Sequence, residues 1–222
     1  MNSDGPMNSD GPMKSGGPLN AGGPVDAPLA RSSREAHLYM DLHPCVCGEA
    51  RFERDSSVGE AGGIDRVGEA GGIDGAGGGW LCRYRGECER CGRERLFEFR
   101  QPERLVVPPE GAWSVDGTSQ LLDAGEWLWL ADLLGARPAD PPDGGGAALD
   151  RDREALASAA AAIDEVLRFL PDGTGTVPDS AFWSERGAGL RAVEPGRFRR
   201  ASLVAAAAAY RSVLAGSGQE SR

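Results

Sequence analysis

The chain has few of the residues on which common catalytic motifs depend. It contains two histidines and one lysine, and 6% of its 222 residues are aromatic. No G-x-S-x-G, H-E-x-x-H, G-x-x-x-x-G-K-[ST] or H-x-E with a following P-C-x-x-C motif occurs. These absences argue against the serine hydrolases, zinc hydrolases, phosphate-binding loops and deaminases that use such motifs. We therefore expect a protein without catalytic activity.

Long hydrophobic runs are also missing. The first residues lack the basic start and the continuous apolar stretch of a secretory signal, and no run is long enough to cross a bilayer. We expect a cytoplasmic protein with no membrane partner. The net charge of −10 does not favour a general nucleic-acid binder, which typically presents a basic face.

Several segments have too few bulky apolar residues to fold alone. Residues 1–35 begin with Gly/Pro hexad repeats, and residues 217–222 form a polar tail. Between them, residues 59–79 are a glycine-rich insertion, in which VGEAGGIDR (58–66) is repeated as VGEAGGIDG (67–75). Such segments bury too little surface to offset the backbone entropy lost on ordering. We predict disordered ends and an extended loop.

Two cysteine pairs dominate what is present. Cys45 and Cys47 form a C-x-C-G sequence, and Cys88 and Cys91 form a C-x-x-C-G knuckle. In a chain without an export signal, thiols stay reduced and favour metal ligation over disulfides. Two close pairs supply four tetrahedral donors, and the following glycine permits a left-handed turn. We predict one structural zinc ion bound by these four cysteines.

Three alternatives for this site stay open from the sequence. The tight C-x-C half brings its sulfurs unusually close in sequence, so His43 is a candidate substitute for one of them. Cys82 is a second candidate, although its place on the alternating Trp80, Cys82 and Tyr84 face of a strand favours a role in the core. The third alternative is a degenerate ribbon that buries its cysteines and binds no metal.

The region around the knuckle has strand periodicity. Residues 80–85 and 96–100 alternate bulky and charged side chains, which predicts a hairpin with the knuckle at its tip. A short strand is predicted at 50–55, and the alternation of Leu38, Met40 and Leu42 suggests that order begins near residue 36. Together these features predict a zinc ribbon over residues 36–104.

Beyond the ribbon the apolar period changes to that of helices. Asp123-Ala-Gly-Glu126 has the form of a capping box and precedes an apolar stripe. A longer helix is predicted from about Asp150, and further helical regions from about residue 179 and over about 197–215. We predict a helical domain over residues 112–216. The fold class is therefore α+β, with a small antiparallel β zinc ribbon followed by an α-helical bundle.

Candidate partner-binding residues lie in the helical part. Trp129 and Trp183 fall off the main apolar stripe and are candidates for anchoring a protein partner. Arg197, Arg199 and Arg200 could meet an acidic or phosphate-bearing surface. An alternative function is a nucleic-acid-associated regulator that uses the ribbon arginines, which are Arg83, Arg85, Arg90, Arg93 and Arg95.

Several stretches together resemble a known group of proteins. They are residues 41–45, 84–88, 97–100, 125–129 and 194–200. On these stretches the chain resembles uncharacterised zinc-ribbon proteins of actinobacteria over about residues 36–215. The resemblance implies a non-enzymatic protein with Cys45, Cys47, Cys88 and Cys91 as zinc ligands. It also implies a protein partner, with an immunity or antitoxin role toward a secreted toxin as one concrete form.

Overall fold

The computed structural model describes residues 27–60, 79–102, 107–109, 111–136 and 145–217. In chain order its elements are α1 (Ser33–Leu42), β1 (Asp55–Glu60), β2 (Gly79–Glu87), β3 (Glu94–Pro102), α2 (Ala124–Gly135), α3 (Gly145–Leu167), α4 (Glu185–Val193) and α5 (Arg200–Ser217). Short 3-10 helices lie at Asp179–Ala181 and Pro195–Phe198. A three-stranded antiparallel sheet with helices packed together is an α+β fold, as the sequence predicts. The hexad repeats before residue 27, residues 61–78 of the insertion and the tail from residue 218 lie outside the described residues.

The ordered chain begins before the predicted boundary at residue 36. Leu29 forms an isolated parallel bridge with Arg100 of β3. Ser32 then caps α1, since its hydroxyl accepts a hydrogen bond from the Glu35 N–H at 3.0 Å. The predicted boundary thus falls inside a helix. The alternation of residues 38, 40 and 42 does not predict this helix. Its buried face also includes Glu35 and Ala36, which that pattern leaves out.

The sheet has strand order β1-β2-β3, and the predicted hairpin is present. Residues of β2 and β3 pair in unbroken register from Gly79 with Pro102 to Glu87 with Glu94. The predicted strand at 50–55 is wrong, because pairing with β2 starts only at Asp55. Just before this point the chain crosses so near β2 that a Cβ on Gly86 would lie 1.5 Å from the Glu53 carbonyl oxygen.

The helices after the sheet form near their predicted positions, but some of them begin at other residues than predicted. Asp123 and Glu126 form the predicted capping box at the start of α2. Helix α3 begins at Gly145, five residues before the predicted start, and α5 begins at Arg200 after a short 3-10 turn. Helix α2 packs on α3 and α4, and α3 packs on α5. These helices form the second layer of the fold.

The sheet and the helices share one buried core. Met40 from α1 and Phe99 from β3 belong to the same cluster of buried side chains as Trp127 from α2 and Ile163 from α3. The predicted division into residues 36–104 and 112–216 therefore separates two types of secondary structure, and the core extends across it. This common core fixes the end of the sheet that carries the cysteines relative to the helices.

A buried ionic network reinforces this junction. The Arg31 guanidinium pairs with Glu35 at 2.6 Å and lies 2.8 Å from a carboxylate oxygen of Glu165 on α3. Ser114 donates a hydrogen bond to the other oxygen of Glu165 at 3.1 Å. Each of the three charged side chains is at most 6% exposed. Pairing offsets part of the cost of taking these charges out of water.

Candidate metal centre

The second cysteine pair lies at the tip of the β2–β3 hairpin. Cys88 follows β2, and its N–H donates to the Arg93 carbonyl at 2.9 Å. The Gly92 N–H donates to the Cys88 carbonyl at 2.9 Å and closes the turn. Gly92 has a φ of 68°, a left-handed conformation that glycine adopts at little steric cost. The predicted role of this glycine is confirmed.

The first cysteine pair lies on a separate turn after α1. The Cys45 N–H donates to the Glu49 carbonyl at 2.8 Å, and the Gly48 N–H donates to the Cys45 carbonyl at 2.7 Å. Gly48 has a φ of 86°. Phe52, a few residues later, forms an antiparallel bridge with Cys88 and so joins the two turns.

The two turns bring four sulfur atoms together. The Sγ atoms of Cys45, Cys47, Cys88 and Cys91 all lie within 4.8 Å of one another. Cys45 and Cys91 are 3.6 Å apart, and Cys47 and Cys88 are 3.5 Å apart. A tetrahedral ion with metal–sulfur bonds of about 2.3 Å separates its sulfurs by about 3.8 Å. The donors therefore fit one tetrahedral metal ion, and the cluster is consistent with a zinc ribbon.

The thiols of this cluster influence one another's protonation. Burial raises the pKa of Cys88, but backbone N–H groups of Cys91 and Arg90 and the neighbouring thiols lower it to about 7. The Arg93 N–H lowers the pKa of Cys91, whereas the thiols of the first pair outweigh it and raise the value to about 12. Cys91 therefore retains its proton near neutral pH when no ion binds the cluster. A divalent cation must displace that proton.

His43 and Cys82 do not join the four sulfurs. His43 Nδ1 lies 2.8 Å from the Tyr39 carbonyl oxygen, and the two rings stack with centroids 3.9 Å apart. Burial lowers the pKa of His43, and the nearby Arg186 and Arg95 lower it further against the effect of the Tyr39 carbonyl. Cys82 is 4% exposed and lies in the core, as its strand position predicts. The C-x-C half thus contributes both of its own cysteines.

Arg95 positions the first cysteine turn, a role that the sequence alone does not reveal. Its guanidinium donates to the backbone carbonyls of Ala50, at 2.8 Å, and of His43. It lies 4.6 Å from the centre of the Phe52 ring and 4.9 Å from that of Phe97. In the sequence, Arg95 alternates with Phe97 and Phe99 along β3, but nothing there distinguishes it from the exposed arginines nearby. Arg95 holds both ends of the turn against β3.

The other ribbon arginines are mostly engaged within the protein. Arg83 pairs with Glu98 at 2.5 Å, and Arg85 pairs with Glu94 at 2.5 Å. Arg90 donates to the Cys47 carbonyl at 3.1 Å, which links the two cysteine turns. The charges of Arg83 and Arg85 are thus compensated within the protein, which leaves fewer free positive charges for a phosphate backbone. These contacts argue against the nucleic-acid alternative.

The two candidate tryptophans have different surroundings. Trp129 is half-buried, and the Arg186 guanidinium lies 4.2 Å from the centre of its ring. Trp183 is 51% exposed and packs against Phe169 with ring centres 5.9 Å apart. Trp183 therefore remains available as an anchor, whereas Arg186 covers part of Trp129.

The three candidate arginines lie at the entry to α5. Arg197 contacts Asp132 at 2.6 Å and Glu194 at 2.9 Å. The hydrogen bonds to Asp132 outweigh burial and raise the pKa of Arg197 further above its usual range. Arg199 and Arg200 are exposed, and Arg200 donates to the Thr174 carbonyl at 3.2 Å. Arg197 thus ties α2 to α5.

Comparison with known proteins gives no relative for this chain. No protein family, curated protein or solved structure matches it. The resemblance to zinc-ribbon proteins is accordingly supported by the four-cysteine cluster alone. Within the described residues, no helix combines the length and the apolar character that crossing a membrane requires.

Proposed function

We propose that this protein is a non-catalytic zinc-binding protein that acts through protein–protein interaction. The observation that carries the proposal is the group of four sulfurs within 4.8 Å of one another. Soft thiolate donors in a tetrahedron favour zinc over harder divalent cations. Four protein ligands complete the coordination of zinc and leave no position for water or substrate. Zinc would then hold the two cysteine turns together.

The proposed partner is another protein, and a toxin that this protein neutralises is one concrete form. The chain carries a net charge of −10, which favours association with a basic protein surface. Trp183 is exposed and large enough to anchor such a contact. We place the protein in the cytoplasm, where cysteine ligands stay reduced.

Metal content of the purified full-length chain tests the zinc assignment. We expect about one zinc per chain by elemental analysis, and its loss in a variant carrying Cys88→Ser and Cys91→Ser. Cys82→Ser is the matched control, because Cys82 lies in the core outside the cluster. Less than about half an equivalent of zinc in the wild-type protein, or iron in its place, would contradict the assignment.

Affinity capture from the native host tests the interaction role. We expect one dominant protein to be retained in near-stoichiometric amount and no nucleic acid. Recovery of nucleic acid whose binding weakens steeply with salt would instead support the regulator alternative. Loss of zinc and loss of the partner are separate readouts, so each half of the proposal can fail alone.

A further inference from the structure

A groove lies directly beside the candidate metal centre. It runs between residues 42–46, which lead into the first cysteine turn, and residues 93–97 at the start of β3, and its volume is about 450 Å³. Val46 on one side is 67% exposed and Leu96 on the other is 53% exposed. This volume lies in the range of sites that bind ligands. We call this feature the knuckle groove.

One wall of the knuckle groove is an open strand edge. At Arg100 the outer edge of β3 already bonds to an extended segment: the Ala30 N–H donates to the Arg100 carbonyl at 2.8 Å, and the Arg100 N–H donates to the Pro28 carbonyl at 2.9 Å. Backbone direction alternates along a strand, and the register with β2 is unbroken, so Leu96 also directs its N–H and carbonyl outward. Among the described residues, none bonds to the backbone of Leu96 at this edge.

The charged side chains around the knuckle groove differ in whether they have partners within the protein. Arg95 is held by backbone carbonyls, and Glu94 is paired with Arg85 at 2.5 Å. Arg93 is exposed, and within the described part of the chain no carboxylate pairs with it. An occupant with a carboxylate near Arg93 would compensate this charge.

We infer that the knuckle groove binds an extended peptide segment of the protein partner, which adds a strand to β3 at Leu96. The pairing of residues 28–30 with Arg100 shows that this same edge accepts an extended chain, and the groove continues it toward the cysteines. Backbone hydrogen bonds provide affinity in such complexes, and side-chain pockets provide specificity. The segment places an apolar side chain between Val46 and Leu96 and an acidic residue beside Arg93. This inference rests on the proposed interaction function and assigns its surface.

A library of random linear peptides displayed on phage, selected on the zinc-loaded full chain, tests the inference. We expect the selected peptides to alternate apolar residues and to share an acidic position. In fluorescence anisotropy, Leu96→Asp should weaken their binding about tenfold or more, because it introduces a charge at the apolar wall. Val58→Asp is the matched control, since Val58 is 62% exposed on β1 at the opposite edge of the sheet.

Two further variants separate strand addition from other modes of binding. Methylation of the peptide nitrogen that faces Leu96 should abolish binding while leaving every side chain in place. Arg93→Glu should reverse the preference for the acidic position, and zinc content verifies that each protein variant is folded. Failure to select peptides, equal binding by Leu96→Asp, or retained binding of the methylated peptide would overturn the inference. Self-association that Leu96→Asp abolishes would also overturn it, because a second copy would then occupy the groove.

The inference and the proposed function can fail independently. A captured host protein whose binding is unchanged by Leu96→Asp would leave the interaction function standing and refute the groove. If peptides bind the groove but no host protein is captured, the groove is a peptide-binding site and the proposed interaction function is refuted.

Discussion

At the residue scale, the side chains behind the sulfurs are as informative as the sulfurs themselves. Cys88 is 1% exposed, whereas Cys91 is exposed, so the cluster lies at the surface with one side covered. Arg95 supports that covered side through two backbone carbonyls and two aromatic rings. The planar guanidinium can make these contacts together, which a lysine ammonium cannot.

Substitution of Arg95 should therefore weaken metal binding without removing a ligand. We expect Arg95→Lys to lower zinc affinity about tenfold and Arg95→Ala up to about a hundredfold, as for other groups that orient metal ligands. Competition with a chromogenic chelator measures the affinity. Arg83→Lys is the control, since Arg83 is 50% exposed and pairs with Glu98 on the surface. Equal affinities for wild type and Arg95→Ala would contradict the positioning role.

The four-cysteine cluster was predictable, because cysteines paired at short spacing are typical of sites that can hold a metal ion. Arg95 was not predictable as a support, because one sequence does not distinguish an arginine that faces inward from its exposed neighbours. Its burial depends on residues 43–50 folding back over β3, and that path follows from tertiary structure.

At the scale of elements, two glycines set the crossing of α2 and α4. A Cβ on Gly125 would lie 2.4 Å from the Gly187 Cα atom, and a Cβ on Gly187 would lie 2.1 Å from a carboxylate oxygen of Asp123. That carboxylate also accepts a hydrogen bond from the Ser184 N–H at 2.7 Å. Asp123 thus caps α2 and holds the start of α4.

Gly187→Ala should destabilise the protein by about 1–3 kcal/mol, because the added methyl group displaces a buried, hydrogen-bonded carboxylate. Chemical denaturation gives the free energy of unfolding. Gly189→Ala is the matched control in the same helix, since nothing lies within 4 Å of its added Cβ. There we expect a gain of about 0.5–1 kcal/mol from helix propensity. Similar effects at the two positions would refute the close crossing.

The capping box of α2 and the hairpin of β2 and β3 were predictable, because each depends on residues near one another in sequence. Helix α1 was missed, since its buried face includes Glu35, whose charge is neutralised by Arg31. The close approach of α2 and α4 was also missed. Glycine in a helix usually signals low propensity, and only the packed structure shows which glycine makes room for a neighbour.

The buried ionic network that joins α1 to α3 predicts how the stability of the fold depends on pH. Burial raises the pKa of Glu165 above its ordinary value of 4.5, although Arg31 and Arg168 oppose the shift. Between 4.5 and the raised value the folded chain binds more protons than the unfolded chain. This contribution to stability is therefore complete below about pH 4.5 and is lost as the pH rises through the raised pKa.

Glu165→Gln should remove that contribution and flatten the dependence of stability on pH above about 4.5. Denaturant unfolding of the zinc-loaded proteins at a series of pH values measures it. Glu154→Gln on the exposed side of α3 is the control and should leave the slope unchanged. A slope in Glu165→Gln equal to that of the wild type would contradict the assignment.

At the scale of the whole molecule, the common core couples the candidate metal centre to the helices. Phe52, next to the first cysteine turn, and Trp127, in α2, belong to one cluster of buried side chains. The sequence did not reveal this coupling, because the segments between the two halves carry no periodic signal. Structural zinc contributes on the order of 10 kcal/mol to small zinc-binding domains. The helices should therefore depend on the ion.

We expect release of zinc and unfolding of the helices to occur in one transition on heating. Tryptophan fluorescence mainly reports the helical half, which contains four of the five tryptophans, with Trp113 and Trp127 buried. A zinc-sensitive dye reports the metal. Chelation beforehand should lower the midpoint of the helical transition. Two well-separated transitions would show that sheet and helices unfold independently.

The hairpin of β1 and β2 has a consequence for how the gene can change. Glu60 at the end of β1 pairs with Trp80 near the start of β2, so the ends of the intervening segment are fixed side by side whatever its length. Doubling a loop costs only about 0.6 kcal/mol in closure entropy. Gain or loss of one nine-residue copy during replication should therefore change the stability of the protein very little, so selection for stability should not oppose it. Deletion of residues 67–75 should leave zinc stoichiometry intact and alter the free energy of unfolding by less than about 1 kcal/mol.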